Sequence, residues 1–269
     1  MKHGIICPVK YLEKFATRSN FHLILPHLFE QFPEYKEFYK ERAKQGDFIL
    51  LDNSIFELGH SLEKEALLEI SEEMKVTEVV APEIWHDTNG TIKLVEEFIE
   101  YHNSWNSNIR ILAMATGDNE EEIIEAFFRW NKHKYIDSLG LPFSLDYEMK
   151  GVSDNVKSLT LRRVLNRWHL IDSINKYSKA SSQLIKSTHL MGLSDAVELQ
   201  RYKGDNYYWI RSNDSSTAFI HGFNYIEYTD KGLPCEKIKK KVDFGLDIEL
   251  TEGQELYINN NINKILSWL

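Results

Sequence analysis

FILLDNSIFELG, Phe48 to Gly59, decides how the rest of the chain is read. Four apolar residues suit a buried strand, and they stop at Asp52-Asn53-Ser54, a carboxylate, an amide and a hydroxyl in one turn. The next helical pattern, LEKEALLEISEEMK, follows Ser61, so Asp52 stands several residues too early to cap that helix. A buried strand, a polar turn and a helix make one β/α unit, and the arrangement recurs along the chain.

Strands are expected near 21–26 (FHLILP), 48–52, 77–81 (TEVVA), 109–115 (IRILAMA), 135–141 (YIDSLGL), 187–192 (STHLMG) and 207–212 (YYWIRS). Helices are expected near 33–44, 61–75, 91–104, 119–132, 155–178 and 194–202, with Asp118 and Glu121 at capping-box spacing and a closing helix in 254–268. Strands of nearly continuous apolar character imply parallel pairing with both faces buried. A (β/α)8 TIM-type barrel accounts for this best, with a doubly wound open sheet second. The eighth strand is not evident; 215–254, with turn signals at Asp230-Lys231-Gly232, reads as an insertion, a hairpin or a short strand plus loop. The whole of 1–269 reads as one domain, a size close to the roughly 250 residues usual for such barrels.

Composition excludes several functions. A net charge of −9 leaves no broad footprint for nucleic acid, so any such contact must be local. No apolar run approaches the ~20 residues that cross a bilayer, and a cytoplasmic protein is expected. Cys7 and Cys235 form no Cys-x-x-Cys pair, and the ten histidines include no His-x-His or His-Glu-x-x-His, so neither a disulfide framework nor a metal is expected. No Gly-x-Gly-x-x-Gly, phosphate loop or Gly-x-Ser-x-Gly turn follows a strand, which argues against dinucleotide, kinase and serine-hydrolase chemistry, and no cofactor is expected.

In a barrel the active site gathers where strands end. Here they end on Asp52-Asn53-Ser54, Pro82-Glu83, Thr116-Gly117-Asp118, Gly140-Leu141-Pro142-Phe143-Ser144, Gly192-Leu193-Ser194 and Ser212-Asn213-Asp214-Ser215-Ser216. Three carboxylates, Asp52, Glu83 and Asp214, would then converge on one mouth. Helix capping is the plainer role for Asp118 and Ser194. Phe56, Trp85 and Phe143 suit a core at least as well as a stacking platform. The basic runs Arg162-Arg163 with Arg167, and Lys237 with Lys239, Lys240 and Lys241, are ordinarily solvated faces, phosphate contact being the sharper alternative.

The succession Leu-Asp-Asn-Ser-Ile-Phe-Glu, Val-Ala-Pro-Glu, Ala-Thr-Gly-Asp, Leu-Gly-Leu-Pro-Phe-Ser, His-Leu-Met-Gly-Leu, Asn-Asp-Ser-Ser resembles the tRNA-guanine transglycosylase superfamily, closest to short phage-type members. The resemblance runs from about residue 21 to 217 and implies a base exchange on DNA or tRNA through a covalent Asp-glycosyl intermediate, making the chain a pentosyltransferase. It implies Asp214 as nucleophile and Asp52 as acid/base. Asn53, Ser54, Phe56, Glu83, Thr116, Gly117, Gly140, Leu141 and Gly192 would line the base pocket, and Lys237, Lys239, Lys240 and Lys241 would touch the nucleic acid. The zinc subdomain of the family is absent, Asn53-Ser54-Ile55 replaces a Ser-Gly-Gly turn, and Glu57 stands where Gln is usual. The partners implied are nucleic acid and a free 7-deazaguanine-type base, with no membrane and a monomeric chain. Two other readings stay open: a nucleosidase or N-glycosidase on a small nucleoside, and a non-catalytic barrel that binds a ligand or partner protein.

Overall fold

The structure, a computed structural model, describes residues 1–147 and 156–269. The expected strands and helices recur in order, except that 194–202 forms a 3-10 helix over Ala196–Tyr202 and that the expected start at 155 of the helix 155–178 lies outside the described residues: β1 (Lys2–Ile5), α1 (Leu12–Phe15), β2 (Phe21–Ile24), α2 (Pro33–Lys44), β3 (Phe48–Leu51), α3 (Ile55–Leu58), α4 (Lys64–Met74), β4 (Glu78–Val80) and α5 (Thr88–Ser104). They continue with β5 (Arg110–Met114), α6 (Glu120–Lys132), β6 (Ser138–Pro142), α7 (Leu159–Ser181), β7 (Thr188–Met191), β8 (Ile210–Ser215), α8 (Thr217–Phe223) and α9 (Glu252–Ser267). Eight parallel strands in the order β1-β8-β7-β6-β5-β4-β3-β2 form a nearly closed barrel with alternating helices, the (β/α)8 pattern. Among the described residues no helix is long and apolar enough to cross a membrane. Both cysteines are free, Cys7 buried and Cys235 exposed.

The strand not evident in the sequence is β1, KHGI at the chain's start. It pairs in parallel with β8, Gly4 opposite Asp214 and Ile5 opposite Ser215, and His3 Nδ1 lies 2.6 Å from Asn213 Oδ1. Beyond Ser215, the last residue of β8, segment 215–254 supplies no barrel strand. It opens with α8 and continues irregularly, with an isolated antiparallel bridge between Thr229 and Gly232.

Contacts divide the chain into two compact units, one of Met1–Ser19, Pro142–Ile185 and Leu190–Leu269, the other of Asn20–Leu141 with Lys186–His189. In the second unit β2 to β6 pair in sequence, Leu51 opposite Val79 and Met114 opposite Gly140. Leu50, Leu51, Val79, Val80, Leu112 and Leu139 are fully buried, as strands covered on both faces require. The Glu78 carboxylate is buried with them; it accepts from Ser138 Oγ at 2.7 Å and lies 3.4 Å from Arg110. Lys186 donates to the carbonyls of Trp130, His133 and Ile136 at 3.3, 2.6 and 2.7 Å, which places its amine at the C-terminal end of α6 and the turn that follows.

In the first unit α8 packs backbone to backbone on α9. A Cβ on Gly222 would lie 2.5 Å from the Cα and the amide nitrogen of Ile258. Gly222→Ala must therefore push the helices apart, and is expected to lower unfolding stability by about 1–3 kcal/mol in urea melts, whereas Gly253→Ala, whose nearest neighbour is the edge of the exposed Tyr225 ring at 3.1 Å, should cost less.

Candidate functional site

Within the second unit, the ends of β3 and β4 are laced together by short-range turns and long-range bonds. Asp52 Oδ2 accepts from the Ser54 amide at 3.0 Å, and Asn53 Oδ1 accepts from the Ile55 amide at 3.1 Å. These two Asx-type bonds let Ser54 adopt the left-handed conformation, φ 64°, that turns the chain into α3. Across the gap to β4, Asn53 Nδ2 donates to Ala81 O at 3.0 Å and to Glu83 Oε1 at 3.3 Å. Ser61, expected as a helix cap, instead bridges the Glu83 backbone. Its hydroxyl donates to Glu83 O and accepts from Glu83 N, both at 2.9 Å, and α4 begins later, at Lys64 after Glu63. His27 shares a hydrogen bond of 2.9 Å with Ser54 Oγ.

Asp52, Asn53, Ser54 and Glu83 are all buried. Burial pushes the Glu83 carboxyl up from its usual 4.5 to about 7; the Asn53 hydrogen bond opposes this and the negative charge of Asp52 adds to it. Beside Glu83 a cavity of about 260 Å³ is lined by Ile55, Ser61, Leu62, Glu83, Ile84 and Trp85. Trp85, part of that lining, meets the Phe56 ring edge to face at 6.3 Å, and the two stay 46% and 44% exposed, so neither is a core residue. Thr116 and Gly117 are half-buried after β5, and a Cβ on Gly117 would strike Glu122 in the first turn of α6. Gly140 and Leu141 lie inside β6, Gly140 against Met114. The α6 cap is Asn119, which accepts from the Glu122 amide, while Asp118 bonds His86 at 2.8 Å; the capping expected of Asp118 is one residue out.

The first unit holds Asp214 and Gly192. Gly192 adopts φ 61°, and its amide donates to Asp214 Oδ1 at 2.8 Å. The carbonyls of Met191 and Gly192 accept from Arg167 at 3.3 and 2.8 Å, and Arg167 Nε donates to Glu198 at 2.9 Å in a fully buried pair. Arg167 is thus neither a solvated nor a phosphate-facing residue. Ser194 does not cap either: Asp195 accepts from the Val197 amide at 3.0 Å, and the buried Ser194 hydroxyl has no partner among the described residues. The lysine run is split. Lys239, Lys240 and Lys241 are exposed, whereas Lys237 is half-buried with Nζ on Leu193 O at 2.6 Å. Among the described residues no group of three or more His, Cys, Asp and Glu side chains is placed to hold a metal ion. His27 and Glu198 had no signal in the sequence, and Ser61 and Arg167 stood out there only as a helix start and part of a basic run, since the roles of all four come from partners 20 or more residues away.

No family model matches the chain, and no curated protein does. Solved structures do. One is N-acetylneuraminate lyase from Mycoplasma synoviae, with 11% identity, 97% of each chain covered and a TM-score of 0.49. Another is CdNal from Clostridium difficile in complex with mannosamine, with 10% identity, 81% of this chain and 71% of that one covered, and a TM-score of 0.42. Where transglycosylase relatives were expected, the similar structures carry a lyase's name, and this corrects the family membership, the glycosyltransferase activity and the nucleic-acid and 7-deazaguanine partners implied by the resemblance. The nucleosidase and binding-barrel alternatives gain no support. The likeness itself assigns this chain no substrate.

Between its usual value and about 7, Glu83 holds its proton in the folded chain while the unfolded chain has released it. Its contribution is complete below pH 4.5 and is lost as pH rises through about 7, on the order of 3 kcal/mol at ~1.4 kcal/mol per unit. Glu83→Gln is expected to remove this loss. In urea melts the variant should gain on the wild type between pH 5 and pH 8; parallel curves would show that Glu83 does not titrate there.

Proposed function

We propose that the chain is an enzyme that moves a proton on a small polar molecule, with Glu83 and Asp52 as its acid–base pair. The observation that carries the reading is the Glu83 carboxyl, buried and balanced between its two states near neutral pH. A carboxylate kept for structure is ordinarily matched to a cation, as Glu78 is to Arg110. Glu83 has an amide and a second carboxylate as neighbours, which is the way a site keeps one acid protonated and another ready to accept. Asp52 is held in the same turn by the Ser54 amide.

The cavity of about 260 Å³ suits a molecule of a few carbons up to sugar size. Its wall mixes apolar Ile55, Leu62 and Ile84 with the Ser61 hydroxyl and three carboxylates, Glu63, Glu83 and Glu97, against one lysine, Lys64, which disfavours a polyanion and suits a hydroxyl- or carbonyl-bearing compound. Proton removal or delivery beside a carbonyl or hydroxyl is the elementary step of lyases and isomerases. A cytoplasmic place suits a chain with two free cysteines.

Solvent exchange read by NMR tests this without a known substrate. In D2O, with dihydroxyacetone, pyruvate and free hexoses and hexosamines as probes, the wild type is expected to wash deuterium into a carbon-bound position of at least one compound. Its rate should depend on a group near pH 7. Glu83→Gln and Asp52→Asn should each lower the rate about 10²–10⁴-fold while remaining folded. Undiminished rates in both variants, or no exchange by the wild type with any probe, would overturn the reading.

A further inference from the structure

Lys237 differs from the lysines that follow it. Its ammonium is 2.6 Å from Leu193 O and 4.4 Å from the centre of the Phe143 ring, whereas Lys239 to Lys241 stand in solvent. The Arg163 guanidinium lies over the same ring at 5.6 Å. Both nearby arginines are already matched, Arg163 to Asp146 at 2.6 Å and Arg167 to the buried Glu198. Among the described residues no carboxylate comes within ion-pair distance of Lys237. Asp214 and Glu198 act on it only at longer range, and its own charge is felt by Asp195 and His221.

An amine in this position has one hydrogen-bond acceptor, an aromatic face and two cationic neighbours. Desolvation and nearby positive charge are the two conditions that convert a lysine from a solvated cation into a nucleophile. We infer that Lys237 is a carbonyl-reactive amine, which condenses with a small aldehyde or ketone to form an imine beside Phe143. Burial first, then Arg163 and Arg167, bring the amine down to about 8, against the pull of Asp214 and Glu198. At neutral pH this leaves roughly three hundred times more free amine than an ordinary lysine has.

The Nζ lone pair attacks the carbonyl carbon, and the carbonyl oxygen takes a proton to give a carbinolamine. That hydroxyl leaves as water with a second proton, and the nitrogen, having lost both of its protons over the two steps, is left double-bonded to carbon; no oxidant or reductant is involved. When the imine nitrogen is protonated, the Phe143 face favours the cation as it now favours the ammonium. The inference stands on Lys237 and its neighbours and is independent of the acid–base role of Glu83.

Reductive trapping separates this role from that of a structural clamp. The full-length protein is incubated at pH 7 with cyanoborohydride and either pyruvate, as a 2-oxo acid, or glyceraldehyde, as an aldehyde, and adducts are located by peptide mass mapping. Lys237 is expected to be modified at least tenfold faster than Lys239, Lys240 and Lys241 with one of the two probes, with a rate that climbs towards pH 8 and then levels. Lys237→Arg, which keeps the charge over Phe143, should lose one equivalent of adduct by intact mass without a change in melting temperature. Modification of Lys237 no faster than that of Lys239 to Lys241 with both probes, or an adduct count unchanged in Lys237→Arg, would overturn it.

Discussion

The side chain of Asn53 fastens the two polar strand ends of the candidate site to each other. Its oxygen accepts from the Ile55 amide, and its nitrogen donates to Ala81 O and to Glu83 Oε1, so one residue closes the turn after β3 and grips the turn after β4. An amide carries its acceptor and its two donor hydrogens on separate atoms, so it can do both at once while staying neutral, which Asp or Leu at 53 would not do. Because the grip ends on the Glu83 carboxyl, it sets both the place of that group and part of its acidity. The left-handed Ser54 costs backbone energy that the bonds from Asp52 and His27 offset, and the turn thereby holds Asp52 beside Glu83.

The first unit reaches a comparable order by charge. Arg167 and Glu198, both fully buried, form a pair in which neither is tolerable alone, since removal of one strands the other without solvent. Arg167 spends its remaining donors on the carbonyls of Met191 and Gly192, which fixes the turn whose amide holds Asp214. The same guanidinium helps keep the Lys237 amine short of protons. Thus a residue expected at most to touch phosphate instead organises Glu198, Gly192, Asp214 and Lys237 around it.

The barrel was legible because strands buried on both faces must be apolar almost throughout, and FILL, EVV and ILAM carry that signal in four residues or fewer. β1 was not, because KHGI mixes a lysine and a histidine and its burial depends on pairing with β8, more than 200 residues away. Caps slipped by a residue or two at Ser61, Asp118 and Ser194 for a related reason: several neighbouring side chains there qualify, and tertiary bonds choose among them. The family resemblance failed differently. Short motifs at strand ends reflect what any barrel places there, and their order did not identify the chemistry.

By itself, the sequence determined the alternation of strand and helix, the polar character of the strand ends, and the absence of charge enough for a broad nucleic-acid surface. Only the tertiary structure decided that Glu83 is buried against Asn53 and Asp52, that Arg167 is core rather than surface, and that Lys237 parts company with the lysines beside it. The division has a physical cause. Secondary structure follows from side-chain periodicity within a dozen residues, whereas the acidity of a carboxyl or an amine is set by burial and by partners that meet only when distant segments fold together.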